Sequence, residues 1–156
     1  MLHIVESRKS LDRITRDLEE AVARHQFGVL AVHDLKATMA KKGVDFGPEC
    51  RIFEVCNPHQ AKKVLEANLE ISTALPCRIS LYEEGGVRKL ATIKPTALID
   101  LYSTPGLKAV AQEVLGPFDH RVINDIPPFD ERNSARWRSV LMLATRWLVH
   151  SVLYCW

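Results

Sequence analysis

Apolar residues recur at steps of three and four near the start of the chain, which predicts an amphipathic helix over residues 11–22. The predicted inner face consists of Leu11, Ile14, Leu18, Ala21 and Val22. Charged residues lie between them and are expected on the solvent side, namely Arg13, Arg16, Asp17, Glu19 and Glu20. A short apolar stretch over residues 2–5 predicts a strand before this helix.

Two further elements follow in the next stretch of the chain. Residues 29–33 are apolar enough to predict a second strand. Residues 35–42 predict a short helix, because Asp34 is a favourable N-cap and Gly43 is a favourable residue after a helix end. Gly47 and Pro48 then indicate a loop.

The segment from Cys50 to Cys56 is rich in β-branched and aromatic residues and predicts a third strand. It ends at Asn57-Pro58, which predicts a helix start because asparagine caps helices and proline suits the first helical position. The helix predicted after them has Ala61, Val64 and Leu65 on its inner face.

Residues 77–83 alternate between apolar and polar side chains, and residues 87–94 predict a partner strand. The turn between them contains Gly85 and Gly86, which supply the positive φ that a tight hairpin requires. Thr104-Pro105 predicts one more helix. The order is therefore β-α-β-α-β-α-β-β-α, which favours one sheet with helices on one face. The other face has to be covered, and dimerisation is a common way to do so.

Composition narrows the class of protein. The chain has 156 residues, 47% hydrophobic and 26% charged, which fits one globular domain. The net charge is +2 and basic residues alternate with acidic ones, so nucleic-acid binding is not expected. The first residues lack a secretory signal pattern, and the four cysteines form no CxxC pair. We therefore expect reduced thiols, a cytoplasmic location, no metal and no cofactor.

Two separated motifs carry a resemblance to a known family. Cys50-Arg-Ile-Phe-Glu-Val-Cys-Asn-Pro-His is followed by Ala74-Leu-Pro-Cys77-Arg-Ile-Ser-Leu-Tyr-Glu. The order and spacing of these motifs resemble the domain of unknown function 302 family over roughly residues 4–126. The resemblance implies an α+β fold of the TATA-box-binding-protein-like class, with a curved antiparallel sheet, helices packed on one face and frequent dimers. It implies no catalytic residues.

The residues with candidate chemistry surround the helix start at Asn57-Pro58. Cys56 precedes Asn57, and a helix N-terminus stabilises a thiolate, so its pKa is expected below about 8.5. His59 in the first turn and Glu54 on the same strand face could exchange protons with it. Cys77 could pair with Cys56 if the fold brings them together. The alternatives are that Cys56 is a buried apolar residue and that Glu54 pairs with a basic residue across strands.

The last 20 residues, 137–156, are strongly apolar and predict an additional C-terminal helix. It is expected to pack on its own domain or across a dimer. An interfacial helix and a membrane helix are the alternatives, although Arg146 would lie in the middle of a span. We accordingly divide the chain into a domain over residues 1–128 and a helical tail over residues 129–156.

Three functions remain open from the sequence. The first is a non-enzymatic, homodimeric protein that binds a small ligand or a partner near Cys56, Asn57 and Cys77. The second is a sulfur carrier or redox sensor that uses Cys56, with Cys77 as the resolving thiol. The third is membrane association through the C-terminal tail.

Overall fold

A computed structural model describes residues 2–94, 97–98 and 122–126. Within these residues, five strands and three α-helices follow the order expected from the sequence, and a short 3₁₀ helix precedes the fourth strand. The elements are β1 (Leu2–Ser7), α1 (Leu11–Arg24), β2 (Gly28–Asp34), α2 (Leu35–Ala40), β3 (Cys50–Cys56), α3 (Pro58–Ala67), the 3₁₀ helix (Leu69–Ala74), β4 (Cys77–Glu84) and β5 (Val87–Ile93). The predicted α+β class is confirmed.

The five strands form one open antiparallel sheet in the order β1-β5-β4-β3-β2. Because side chains alternate along a strand, the register assigns each residue to one of two faces. We call the face that carries Phe53, Val55 and Ile79 the inner face, and the face that carries Glu54 and Arg78 the outer face.

The core lies between the inner face and helix α1. The predicted apolar positions of α1 pack there, together with apolar residues of the 122–126 segment and of the inner face. Its fully buried members include Ile14, Leu18, Phe53, Ile79, Leu81, Leu90 and Ile123. Each buried side chain of this size contributes about 1.5–3 kcal/mol to the free energy of folding. Because a shift of one residue would move these side chains to the outer face, the inner face fixes the register of the sheet.

One expectation about α1 is wrong. Asp17 was placed on the solvent side, but it is only 3% exposed. Lys9, which is also buried, donates a hydrogen bond to Asp17 Oδ2, and Arg13 Nε lies 3.0 Å from Oδ1. The charge of Asp17 is thereby paired inside the protein and ties the chain before α1 to the helix. Sequence spacing could not show this, because Lys9 lies outside the helical repeat.

The local turn and cap predictions are confirmed. Asp34 accepts a hydrogen bond from the backbone N–H of Ala37 at 2.8 Å at the start of α2. Gly43 follows α2 with a φ of 75°, and the hairpin between β4 and β5 turns at Gly85 and Gly86 with φ values of 61° and 78°. These values lie in the left-handed region that glycine adopts without a steric penalty.

Several predictions fall outside the described residues. They are the helix that begins at Thr104-Pro105, the boundary between residues 128 and 129 and the helical tail over residues 137–156. Within the described part of the chain, no helix has the length and apolar character needed to cross a membrane.

Candidate functional site

Three charged or titratable side chains meet on the outer face of the sheet. Glu54 and Arg78 are directly paired between β3 and β4, and Arg78 Nε lies 3.6 Å from Glu54 Oε1. His33 Nε2 on the neighbouring strand β2 lies 3.3 Å from the same oxygen. Glu54 was considered as a group that exchanges protons with Cys56 and as a cross-strand partner of a basic residue. The structure has the second arrangement.

Cys56 lies on this outer face, two residues after Glu54 at the end of β3. Its partner in β2 is Gly28, so no side chain from that strand covers it at this position. The thiol is half-buried, and burial raises its pKa above the ordinary value. The direction is opposite to the expected lowering, because loss of hydration disfavours the thiolate.

Asn57 explains why the helix start does not offset this effect. The side chain of Asn57 is buried, and its Oδ1 accepts hydrogen bonds from the backbone N–H groups of His59 at 3.0 Å and Gln60 at 3.1 Å. The predicted cap, with Pro58 at the first helical position, is confirmed. The cap uses amides that would otherwise stabilise an anion at Cys56. His59 itself is exposed.

Cys77 does not join Cys56 in one site. Cys77 pairs directly with Val55, so its side chain lies on the inner face with Val55 and within the core, 8% exposed. Cys56 follows Val55 and therefore lies on the opposite face. Neither cysteine, nor Cys50, forms a disulfide in the described part of the chain. The expectation that Cys77 resolves Cys56 has no support in this geometry.

A cavity of about 180 Å³ lies where β4 begins and β5 ends. It is formed by residues 73–78 together with Ile93 and Leu98. Six of these eight residues are apolar, while Thr73 and Arg78 supply the polar groups. Two of the lining residues, Arg78 and Ile93, belong to the outer face, so the cavity and the charged cluster around Glu54 share Arg78.

The sequence pointed to Cys77 and Glu54 but not to Ile93, nor to Arg78, which connects Glu54 to the cavity. The contribution of Arg78 depends on the register between β3 and β4, and that of Ile93 depends on the register between β4 and β5. The alternation of residues 77–83 indicated that Arg78 faces away from the core. It gave no signal for which side chain lies opposite.

The described residues include histidine, cysteine, aspartate and glutamate side chains, which are the usual metal ligands. Among them, no group of three or more histidine, cysteine, aspartate or glutamate side chains is arranged to hold a metal ion. In the cluster of Glu54, His33 and Arg78, the third side chain is a guanidinium, which has no lone pair to offer a metal ion.

Comparisons with known proteins agree with the resemblance found in the sequence. The model of the family described as domain of unknown function DUF302 matches residues 3–124. Among solved structures, the chain is similar to the uncharacterized conserved protein DUF302 from Bacillus stearothermophilus, with 31% identity and a TM-score of 0.72. That match covers 80% of this chain and 94% of the other. No curated protein matches. The TATA-box-binding-protein-like label stays a prediction.

Proposed function

Because the chain belongs to the DUF302 family, whose description assigns no activity, we propose its function from the geometry of the described residues. The domain binds a small molecule without transforming it, in the cavity formed by residues 73–78, Ile93 and Leu98. This cavity is the observation that carries the proposal.

The size and lining of the cavity support a small, mainly apolar ligand. Apolar protein cavities of roughly 150 Å³ hold a single benzene ring, and sites for drug-sized ligands are larger, at about 300–1,000 Å³. A volume of about 180 Å³ therefore suits one ring or a short branched chain. Burial of such a group against Leu75, Pro76 and Ile93 supplies the hydrophobic part of the binding free energy.

The cysteines give less support to the alternative of a sulfur carrier or redox sensor. Burial raises the pKa of Cys56, which lowers the thiolate fraction at neutral pH. Cys77 lies on the other face of the sheet. A ligand-binding role does not require either thiol to react. The proposal also includes a cytoplasmic location, which is supported by the cysteine usage of the chain alone.

The test is an NMR screen of the full chain with fluorinated single-ring and short branched fragments. Ala74→Trp fills the cavity, and Ile93→Ala removes one apolar wall with little effect on folding because Ile93 is exposed. Ala67→Trp, at an exposed position in α3, is the matched control. We expect fragments that bind the wild type and A67W, bind I93A more weakly and do not bind A74W. An absence of hits, or hits that both cavity variants retain, would contradict the proposal.

A homodimer is a second part of the proposed function, supported by exposed apolar residues near β1. Leu2 pairs with Ile93 and Ile4 pairs with Ala91, so these residues form a continuous strip on the outer face. Leu2 is 57% exposed and Ile4 is 46% exposed. Contiguous exposed apolar surface of this kind is typical of protein interfaces.

Sedimentation velocity tests the dimer. We expect the full-length wild type to sediment as a dimer and Ile4→Lys to shift it toward monomer. Leu69→Lys, which changes another exposed apolar residue away from the strip, is the control and should remain dimeric. A monomeric wild type at its highest soluble concentration would refute this part of the proposal.

A further inference from the structure

In the part of the cavity lining that the structure describes, Arg78 is the one cationic residue. Its side chain is 67% exposed and belongs to the outer face, so its guanidinium is hydrated and accessible. A guanidinium has five N–H donors in a planar fork that matches the two oxygens of a carboxylate. Among the other lining residues that the structure describes, Thr73 contributes a hydroxyl group and the rest are apolar.

The partner of Arg78 in the described part of the chain is Glu54, and their contact is loose. The 3.6 Å between Arg78 Nε and Glu54 Oε1 exceeds the roughly 2.7–2.9 Å of a strong charge-assisted hydrogen bond. Glu54 Oε1 is also shared with His33. Glu54 thus compensates the charge of Arg78 but does not bind the planar set of N–H donors of the guanidinium. A second carboxylate can therefore compete for these donors.

From this juxtaposition we propose that the cavity selects small monocarboxylates that have one compact apolar group. The guanidinium of Arg78 binds the carboxylate, and the apolar walls of the cavity bind the tail. The inference rests on the proposed function and adds the chemical class of the ligand. Glu54 acts as an internal competitor, so its contact with Arg78 is exchanged for the contact with the ligand.

The probes are benzoate and its uncharged isostere benzamide, which have nearly the same shape and differ in the carboxylate. Both are titrated into the full-length protein, with binding followed by calorimetry and by NMR chemical shifts. We expect benzoate to bind up to about fivefold more tightly than benzamide, because an ion pair with a largely exposed guanidinium is worth up to about 1 kcal/mol.

Variants at the two charged residues separate the roles. Arg78→Gln should remove the preference for benzoate and leave the weak binding of benzamide unchanged, and Arg78→Lys should restore part of the preference. Glu54→Gln removes the competing carboxylate and should tighten benzoate binding severalfold, with benzamide unaffected. Arg16→Gln, on the solvent face of α1, is the matched control and should behave as the wild type.

The outcomes distinguish this inference from the proposed function. Equal affinity for benzoate and benzamide, both lost in A74W, would overturn the carboxylate preference and keep the binding site. A preference that survives in R78Q, or weaker benzoate binding in E54Q, would also overturn it. If neither probe binds while the fragment screen yields neutral hits, the ligand class is wrong and the cavity still binds. No binding in either experiment overturns both.

Discussion

The reactivity of Cys56 decides most sharply between a ligand-binding domain and a thiol-based one. The perturbation is alkylation of the native full chain with iodoacetamide across a pH series, with each cysteine followed by peptide mass spectrometry. Two effects oppose each other at this thiol. A helix N-terminus favours an anion by about 0.3–1 kcal/mol, which is less than one pKa unit. Burial acts in the other direction.

The structure indicates that burial wins, because the cap of Asn57 already occupies amides at the helix start. A thiol with the ordinary pKa of about 8.5 is only about 3% ionised at pH 7. A raised pKa makes that fraction smaller, so native Cys56 should react more slowly than the same cysteine in the urea-unfolded chain. Its labelling midpoint should also lie at higher pH.

The raised pKa of Cys56 also makes the stability of the protein depend on pH. Because the pKa of Cys56 is higher in the folded state, this thiol has no effect on stability below the pKa of the unfolded chain. Its ionisation lowers stability as the pH rises through that value toward the folded one. A native labelling midpoint below that of the unfolded chain would show that the helix start outweighs burial, and it would restore the reactive-thiol hypothesis.

Two further predictions concern the fold that supports the site. Asp17→Ala leaves the ammonium of Lys9 buried without its partner and should lower the free energy of unfolding in urea by about 3–5 kcal/mol. Arg13→Ala, which removes the exposed member of the cluster, should cost less than about 1 kcal/mol; equal losses would contradict the buried pair. Gly86→Ala, at a φ of 78°, should lower the free energy of unfolding by about 1–2 kcal/mol. Gly47→Ala should be nearly neutral in the same assay, because an added Cβ there meets no heavy atom within 4 Å and φ is not positive. A neutral G86A would argue against this turn.

Much of the fold could be predicted because its signals are local. The helix start at Asn57-Pro58 and the glycine turn at Gly85 and Gly86 each depend on residues a few positions apart. The apolar spacing of α1 likewise identifies its inner face. Asp17 was misplaced because its partner, Lys9, lies in the connection before the helix, where helical periodicity gives no information.

The candidate site was harder to predict because it depends on strand register. Cys56 and Cys77 are close in the sheet, yet a pairing in which Cys77 lies opposite Val55 directs the two thiols to opposite faces. The same register brings Arg78 opposite Glu54. A shift of one residue would have reversed both outcomes, and the sequence of β3 does not show which of its residues face the core, because both of its faces carry apolar side chains.

The most direct test of the account is a crystal structure of the full chain soaked with 4-bromobenzoate, in which the anomalous signal of bromine locates the ring. We expect a bromine peak between Leu75 and Ile93, with the carboxylate about 3 Å from the guanidinium of Arg78. An empty cavity at saturating ligand, or bromine bound only elsewhere on the protein, would contradict it.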